Sequence, residues 1–449
     1  MERIQQIPEQ YIRESGAIDI TVGLTAAVDR AGQLAGDFVC RLLEHKLTEL
    51  DEALFQARNL RKNWVVEHKA VRRELLTEQG LLQFSRRYYR HTKTSVRRYL
   101  VDSLVGIEPH ERLEIGLSAK LCEAAVDNSY QKSAKLCCDS QISRQTVMNK
   151  TRQVTQCALD PVETRLDVPV IHIQADEDHV AMQDGRRDTI VKLVAIHEPA
   201  RKIGKKRWQL PQRHLLTSYR EDVDDFWLRV ADAIHERYGD REDLQVYIHG
   251  DGAPWIKTGL TWIRNSHFVL DKYHFLKYLN PVVGSHEDYR QYILDELDGG
   301  SRLKIDHLVE AIMESELCSR EAGEKFLSYM HGNWAGIQIW YDSNNQAGPS
   351  CAEGLVSHVL SSRLSSRPLG WRDEGLETIS RLRVHVLNGG RIGPENLCKP
   401  RIPALKATKK LRQRLSFDIY SESRVLYTDH RSSDQYRLFK AITSGGRAI

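Results

Sequence analysis

The chain has 449 residues, of which 41% are apolar and 28% charged, enough apolar material for a folded protein of about two to four domains. Its net charge of +4 is too small to predict a nucleic-acid partner by itself. No run of about 18 apolar residues and no signal-peptide pattern is present, so we expect a cytoplasmic protein without a membrane partner, and eight cysteines that remain thiols.

The N-terminal part is predicted to be a helical segment over residues 1–62, followed by a basic hairpin over 63–106. An apolar stripe at helical spacing covers residues 19–62, and Glu78-Gln79-Gly80 is predicted as the hairpin turn. Twelve Lys or Arg lie from Arg58 to Arg98, opposed by three Glu and interleaved with aromatic residues. This composition suits a phosphate backbone, although a solvated surface has the same pattern. The expected DNA contacts are Arg86, Arg87, Arg97 and Arg98.

Residues 107–160 are predicted to contain a helix-turn-helix. Two short helical segments, Ser129–Cys138 and Ser143–Gln156, are joined by four residues, and Ser143 is a suitable N-cap. In a DNA-binding pair of this type the second helix enters the major groove. The side chains it would present are Arg144, Gln145, Asn149 and Lys150. Helix pairs of this shape are also common in proteins that bind no DNA.

A different pattern begins at Val168 and predicts the first part of an α/β core over residues 165–280. The expected order is three strands, a helix, a strand, a helix and a last strand. The predicted bounds are Val168–Gln174, Thr189–His197, Trp208–Ser218, helix Asp222–Tyr238, Val246–Ile248, a helix from Pro254, and His267–Leu270. This is the order of a ribonuclease-H-like fold, with three antiparallel strands and two parallel ones. The strand leading to Asp176 is therefore expected beside the strand leading to Asp251.

The C-terminal half is predicted to be mainly helical. A helical insertion is expected over 281–349, the last helices of the core over 350–398, and a basic tail over 399–449. The helices expected in the insertion are Tyr289–Leu297, Leu303–Met313 and Ala322–Tyr341.

Three carboxylates form the strongest candidate for chemistry: Asp176, Asp251 and Glu353. Ligands beyond the carboxyl ends of neighbouring strands meet in one crevice of an open α/β sheet. Magnesium prefers a few carboxylate oxygens together with substrate phosphate. Two such ions can activate an attacking oxygen and stabilise a leaving oxygen in an in-line displacement at phosphorus. We therefore expect two Mg²⁺ (or Mn²⁺) ions held by these three acids.

Each candidate also has a simpler structural interpretation. Asp251 precedes a glycine and could belong to an ordinary turn. Asp178 competes with its neighbour for the first position. Ser350 and Glu353 match the capping box S-x-x-E, in which Glu only secures a helix start. His274 is of a type that is more often packed or hydrogen-bonded than catalytic.

Three ordered stretches resemble the bacterial insertion-sequence transposases of the ISLre type, which belong to the Mutator-like DDE transposases. They are ADEDHVAMQ (175–183), GDGAPWIKTGLTWIRNSHFVLDKYH (250–274) and CAEGLVSHVLSSRLSSRPLGW (351–371). The likeness extends more loosely over residues 80 to 400. It implies a retroviral-integrase-like core in which Asp176, Asp251 and Glu353 are the three acids. The resemblance also implies that the D-x-x-H motif ending at His274 supports the site.

The resemblance implies a DNA transposase that binds terminal inverted repeats and target DNA and catalyses strand cleavage and strand transfer. Such a protein is expected to act as a homodimer or higher oligomer on DNA, and to be nucleoid-associated when bound. The basic loop with Lys205, Lys206 and Arg207 and the tail after Lys399 are expected to hold phosphate backbone. Two alternatives stay open: a nuclease of the same fold, such as a junction resolvase, and an inactive, domesticated DNA-binding protein.

Overall fold

The computed structural model describes residues 6–138, 142–155, 157–159, 161–186, 189–205, 207–341, 347–367 and 369–397. The fold is mixed α/β, and its described residues divide into two compact units, one formed by residues 6–118 and the other by the described residues from 119 to 397. The predicted basic tail from Lys399 onward and Lys206 lie outside the described residues.

The first unit consists of a helical segment and a three-stranded antiparallel sheet in the order β1-β2-β3. Its elements are α1 (Gln6–Gly16), α2 (Leu24–Gln56), β1 (Trp64–Thr77), β2 (Gly80–His91), β3 (Arg97–Tyr99) and α3 (Leu100–Val105). The predicted hairpin is confirmed, since Thr77 pairs with Gly80 across the expected turn. The predicted long helix is shorter at its start because Gly23, at φ +116°, separates a 3-10 turn from α2. Helix α2 packs on β2 around the fully buried Leu54 and Tyr89.

The remaining elements alternate short helices with the strands of the main sheet. The helices are α4 (Ile115–Asp127), α5 (Tyr130–Cys137), α6 (Arg144–Gln153), α7 (Val223–Tyr238), α8 (Pro254–Lys257), α9 (Gly259–Trp262), α10 (Lys272–Val283), α11 (Glu287–Asp298), α12 (Arg302–Glu314), α13 (Arg320–Gly332), α14 (Trp334–Gln338), α15 (Ala352–Val356), α16 (Ser362–Leu364) and α17 (Asp373–Leu387). The strands are β4 (Val170–His179), β5 (Ile190–His197), β6 (Arg201–Lys202), β7 (Trp208–Gln209), β8 (His214–Ser218), β9 (Gln245–Gly250) and β10 (Ser266–Leu270).

The main sheet has five strands in the order β10-β9-β4-β5-β8. Strand β4 is antiparallel to β5, β5 is antiparallel to β8, and β9 and β10 join in parallel. The predicted meander and parallel pair are therefore confirmed. The prediction that the two Asp-bearing strands are neighbours is confirmed as well, since β4 pairs directly with β9.

Two strand bounds differ from the prediction. Strand β4 continues to His179, so Asp176 lies inside it, opposite Leu193 of β5, rather than after its end. Apolar content underestimates this strand because its second half carries the acidic residues Asp176, Glu177 and Asp178. The predicted third strand is divided into β7 and β8, and Pro211 lies in the break because it has no N–H to donate to a ladder. Strands β6 and β7 instead form a separate two-stranded hairpin.

The main sheet is covered by helices on both faces. Side chains of β4 alternate, so Ile171, Ile173 and Ala175 enter a core shared with α7 and the helices of the insertion. On the opposite face, Leu193 and other β5 residues pack against Leu355 and the helices from α15 to α17. The position of an acidic residue along its strand therefore decides which of the two helical layers its side chain faces.

Candidate functional site

Asp176 and Asp251 lie together on two neighbouring parallel strands. Asp176 is in β4 and Asp251 follows directly after the last residue of β9, with Gln174 of β4 paired to His249 of β9. Burial, and then the nearby charge of Asp251, raise the pKa of Asp176 to about 6. Two carboxylates this close repel each other when both are ionised. The arrangement favours the binding of a positive charge between them.

Helix α15 lies on the face of β4 to which Asp176 points. Gln174, two residues before Asp176, accepts a hydrogen bond from the backbone N–H of Cys351 at 3.0 Å. Asp178, two residues after it, accepts hydrogen bonds from Ser361 and Ser365 at 2.9 and 2.8 Å. Residues at i−2, i and i+2 of a strand share one face. Asp176 therefore faces the same helical layer that carries the third predicted acid.

The carboxyl group of Asp178 is held by hydrogen bonds to the helical layer. Its carboxyl group is buried at 6% exposure, and both serine hydroxyls donate to its Oδ1. Burial raises the pKa of Asp178. Because these bonds fasten β4 to the helical layer, Asp178 has a structural role and the choice between the two neighbouring aspartates favours Asp176.

Glu353 lies in the first turn of α15 and is exposed. The capping-box interpretation is not observed: the N-cap is Cys351, no side chain caps the helix, and the Ser350 hydroxyl donates to Gln174 at 3.4 Å. Within the described part of the chain, no hydrogen bond or ion pair holds the Glu353 carboxylate, and no three His, Cys, Asp or Glu side chains are arranged to hold a metal ion. Glu353 thus lies in the helical layer that Asp176 faces, and its role as the third acid stays a prediction.

His274 is held beside the two aspartates by Asp271. Asp271 caps α10 by accepting from the backbone of Tyr273, and its other oxygen bonds to Nδ1 of His274 at 3.0 Å. This hydrogen bond, with the charges of Asp271, Asp251 and Asp176, raises the pKa of His274. The D-x-x-H motif therefore places an imidazole ring near both acids, and these acids favour its protonated form.

The helical insertion supports the Asp251 loop, which the sequence did not indicate. The hydroxyl of Tyr329 donates to the backbone oxygen of Asp251 at 2.6 Å, and Lys257 donates to the oxygen of Gly332 at 2.8 Å. Gly252 has φ +92°, and a Cβ there would collide with the buried amide of Asn333. These contacts join residues far apart in sequence, and no local pattern encodes them.

A layer of buried polar side chains under the acids was also missed. Nδ1 of His172 lies 3.3 Å from Nε2 of His249, and Gln174 lies 3.2 Å from Nε2 of His197. Burial lowers the pKa of His172 to about 3, so this ring is neutral. The sequence does contain a sign of this layer, because polar residues occur at alternate positions of strands that are otherwise apolar.

The two helices of the predicted helix-turn-helix are present as α5 and α6, while residues 139–141 of their connection lie outside the described residues. The hydroxyls of Ser129 and Ser143 accept the capping bonds expected of N-cap residues. Helix α6 packs on α17 with Val147 and Thr151 buried. Its outer face exposes Arg144, Gln145 and Asn149, with Lys150 half-buried at its edge.

The four predicted arginine contacts of the first unit divide into two groups. Arg86 is 4% exposed, pairs with Asp102 at 2.8 Å and lies over the Tyr99 ring. Arg87 pairs with Asp51 and Glu52 and covers Phe55. Both side chains are therefore paired within the first unit. Arg86 is too buried to contact DNA, so we correct its predicted role, because composition does not reveal which cations are paired inside. Arg87 is partly exposed, and its contact with DNA stays a prediction.

The other two arginines of the hairpin are closer to solvent. Arg97 is exposed and binds Glu67 through two nitrogens. Arg98 is half-buried, without an ion-pair partner in the described part of the chain. Both remain able to contact a phosphate.

Tyr329→Phe is expected to lower the free energy of unfolding by about 1 kcal/mol, because it leaves the Asp251 carbonyl without its donor. Denaturant unfolding measures this. Tyr341→Phe is the matched control, since that hydroxyl lies 3.5 Å from its acceptor, the oxygen of Leu294, at the limit of a hydrogen bond. Equal losses in the two variants would contradict a specific support of Asp251.

Asp176→Asn is expected to stabilise the metal-free protein at neutral pH. The Asp176 pKa is about 6 in the folded protein, against about 3.9 when unfolded. Stability from this carboxyl is therefore complete below about pH 4 and is lost as the pH rises through 6. Urea unfolding in EDTA at about pH 4 and pH 7 measures the difference. A wild-type protein that gains stability over the variant as the pH rises would contradict the raised pKa.

The sequence of the chain is similar to a family of bacterial proteins. Within the described residues, every helix is too short or too polar to be a membrane span. A family model described as "Uncharacterised protein family (UPF0236)" matches residues 21–399. Two similar relatives are UPF0236 proteins of Caldanaerobacter subterraneus subsp. tengcongensis, each 36% identical over 374 residues, which is 82% of this chain and 79% and 75% of theirs.

A third UPF0236 protein of that organism is 36% identical over 372 residues, covering 82% of this chain and 79% of its own length. The names of the three relatives join four, two and eleven gene loci of the same genome, respectively. Sequences of this kind therefore occur there in many copies.

Proposed function

We propose that this chain, which belongs to the uncharacterised protein family UPF0236, is the DNA transposase of an insertion sequence. The observation that carries the proposal is that Asp176 lies in β4, on the face covered by the helical layer that contains Glu353, while Asp251 directly follows the neighbouring parallel strand β9. Acids brought together from two strands and a later helix fit metal-assisted chemistry on phosphodiesters.

The strand order supports a ribonuclease-H-like core. Three antiparallel strands, β4, β5 and β8, are followed by β9 and β10, which add in parallel on the other side of β4. This is the order expected for that fold. A fold hosts many functions, so the proposal depends on the acids rather than on the sheet alone.

The copy number of the relatives supports a mobile element. One protein name covers eleven loci of a single genome. A gene that encodes the enzyme for its own movement accumulates in this way, whereas a single resolvase or regulator has no means of producing such copies.

The carboxylates at the site have the chemistry to hold two Mg²⁺ or Mn²⁺ ions once Glu353 turns toward the two aspartates. Asp176 and Asp251 offer hard carboxylate oxygens whose mutual repulsion a cation removes, and the carboxylate of Glu353 is not bound elsewhere in the described chain. These three residues would hold the ions. When bound, such ions activate the attacking oxygen and stabilise the leaving oxygen of an in-line displacement.

The chain itself positions the acids and supplies positive charge. Tyr329 fixes the backbone of Asp251, and Asp178 fixes β4 to the layer that carries Glu353. His274, held by Asp271, has a raised pKa, and in its protonated form the ring would attract the scissile phosphate. Its role is to support the site rather than to bind metal.

Two reactions of the same type follow at this site. Water attacks the phosphorus at the element end, the P–O3′ bond breaks, and a 3′ hydroxyl and a 5′ phosphate are released. The 3′ hydroxyl then attacks a phosphodiester of target DNA, whose own 3′ oxygen leaves. Both are in-line displacements, so one set of acids serves both.

DNA recognition is assigned to the exposed face of α6. Arg144, Gln145 and Asn149 are directed to the terminal inverted repeats, because their side chains can bond to base edges and phosphates. Arg97 and Arg98 add phosphate contacts from the first unit. Pairing two element ends requires more than one subunit, so a homodimer or larger assembly on DNA is part of the proposal.

A joining assay tests the function. Purified chain, Mg²⁺, an oligonucleotide carrying the element end with a free 3′ hydroxyl, and a supercoiled plasmid are expected to yield plasmid covalently linked to the oligonucleotide. Cleavage without linkage would identify a nuclease instead. Binding of the end with neither reaction would identify an inactive DNA-binding protein.

A further inference from the structure

The β6–β7 hairpin exposes an aromatic side chain that the fold does not use. Trp208 is 51% exposed, and Ile203, near the hairpin turn, is 52% exposed. Lys202 pairs with Trp208, and Ile203 donates its backbone N–H to Arg207 at 2.9 Å. Every described residue from Arg201 to Gln209 is exposed, so the hairpin has no core of its own.

Trp208 differs from most tryptophans of the described chain. Five others donate the indole N–H to a protein acceptor: Trp227, Trp255, Trp262, Trp340 and Trp371. Trp208 has no such bond within the described residues. The ring of Trp208 is therefore available to stack against a partner, and the charges around it indicate the kind of partner.

The charge of the hairpin indicates a polyanion. Arg201, Lys202, Lys205 and Arg207 are all exposed, and no ion pair within the described part of the chain neutralises them. Lys206 adds a fifth cation in the sequence, and no Asp or Glu occurs from Pro199 to Arg220. Cations in this density bind phosphates by releasing counterions.

We infer that the β6–β7 hairpin binds an unpaired stretch of DNA, with a base stacked on Trp208 and the neighbouring phosphates held by its cations. Stacking on an exposed aromatic ring requires a base that has left its own stack, so single-stranded or locally opened DNA is the ligand. The inference rests on the proposed transposase function, whose cleaved ends and target strands include such nucleotides.

The hairpin leaves the sheet beyond His197, which pairs with His172 near the start of β4. Strand β9 begins at the same end of the sheet, whereas Asp251 follows the end of β9. The hairpin is therefore expected to bind a part of the DNA that lies away from the reacting phosphodiester.

Metal-free full-length protein tests the inference, since EDTA prevents any reaction. Binding is measured with an oligothymidine and a duplex, each about 20 nucleotides long. Trp208→Val is expected to weaken binding of the oligothymidine at least about fivefold, with a smaller effect on the duplex. Valine retains high strand propensity, so the hairpin is preserved. Trp208→Phe is expected to retain most of the affinity, because a phenyl ring still stacks.

Two controls separate stacking from other effects. Trp262→Val removes an exposed indole outside the hairpin, 40% exposed, and is expected to leave binding unchanged. Lys202→Gln is expected to reduce the slope of log affinity against log salt by about 0.7 for single strands, without the loss caused by Trp208→Val.

Three outcomes would overturn the inference: Trp208→Val binds the oligothymidine like wild type, Trp208→Phe loses as much as Trp208→Val, or Trp208 mediates binding to phosphatidylserine vesicles and not to DNA. If the wild-type protein also joins DNA ends, only the inference fails. If it binds neither oligothymidine, duplex nor element end, the proposed function fails as well.

Discussion

Asp251→Asn is expected to abolish the joining of element ends while binding of those ends persists. The variant keeps the shape of the side chain and its oxygen can still accept from Ala253, a bond of 2.9 Å in the wild type, but loses the negative charge. Replacing residues that merely support metal ligands costs about 10- to 100-fold, so loss of a ligand charge is expected to exceed about 100-fold. The plasmid-joining rate in Mg²⁺ measures it, and gel-shift binding of the end in EDTA measures recognition.

Asp178→Asn is the matched control. This residue is on the same strand and face as Asp176, but its Oδ1 is bonded to Ser361 and Ser365. Asparagine retains an oxygen acceptor for both hydroxyls, so the joining rate is expected to fall by less than about tenfold. Normal joining by Asp251→Asn, or a complete loss in Asp178→Asn, would place the chemistry elsewhere.

Glu353→Gln is expected to abolish joining with almost no change in thermal stability. The wild-type carboxylate is exposed and makes no hydrogen bond or ion pair in the described chain, so its loss changes the free energy of unfolding by less than about 0.5 kcal/mol. A metal ligand, by contrast, cannot be replaced by an amide without losing the charge that holds the ion. Joining rate and melting temperature are measured on the same preparation.

Glu377→Gln gives the control for that variant. Glu377 is also an exposed acid on a helix of the same unit, in α17. It is expected to join ends at the wild-type rate. A Glu353→Gln protein that retains joining, or one that melts earlier than the control, would return Glu353 to a structural role at the start of α15.

The core strands could be predicted from sequence because local patterns encode them. Val246–Ile248 is a short apolar run closed by a glycine, and the structure extends it by only a few residues to β9. The bounds of β4 were less accessible, since Asp176 and Asp178 lie within a strand that apolar content alone would end at Gln174. Polar residues in a buried strand are a sign of function that a search for apolar runs does not detect.

The three acids and the supporting His274 were proposed from motifs, but the contacts between the helical insertion and the Asp251 loop were not. Tyr329 contacts Asp251 across a long sequence separation, and its aromatic ring predicts only a helical core. Arg86 shows the opposite error, since its basic neighbourhood suggested DNA whereas Asp102 and Tyr99 enclose it. The roles of Tyr329 and Arg86 both depend on contacts with residues that are distant in sequence.

The capping box at Ser350 illustrates the same limit. The pattern S-x-x-E predicts a hydrogen-bonded helix start, but the Ser350 hydroxyl is used by Gln174 of β4. The hydrogen bond from Ser350 to Gln174 therefore takes the place of the capping bond that the local pattern predicts. The carboxylate of Glu353 was left without the partner that the local pattern assigns to it.

The most direct test is anomalous diffraction from crystals of the chain grown with an element-end oligonucleotide and Mn²⁺. The account predicts manganese density bound jointly by the carboxylates of Asp176 and Asp251, with Glu353 turned from α15 to complete the site. Density without Glu353 among its ligands, or an absence of manganese beside Asp176 while DNA is bound, would contradict it.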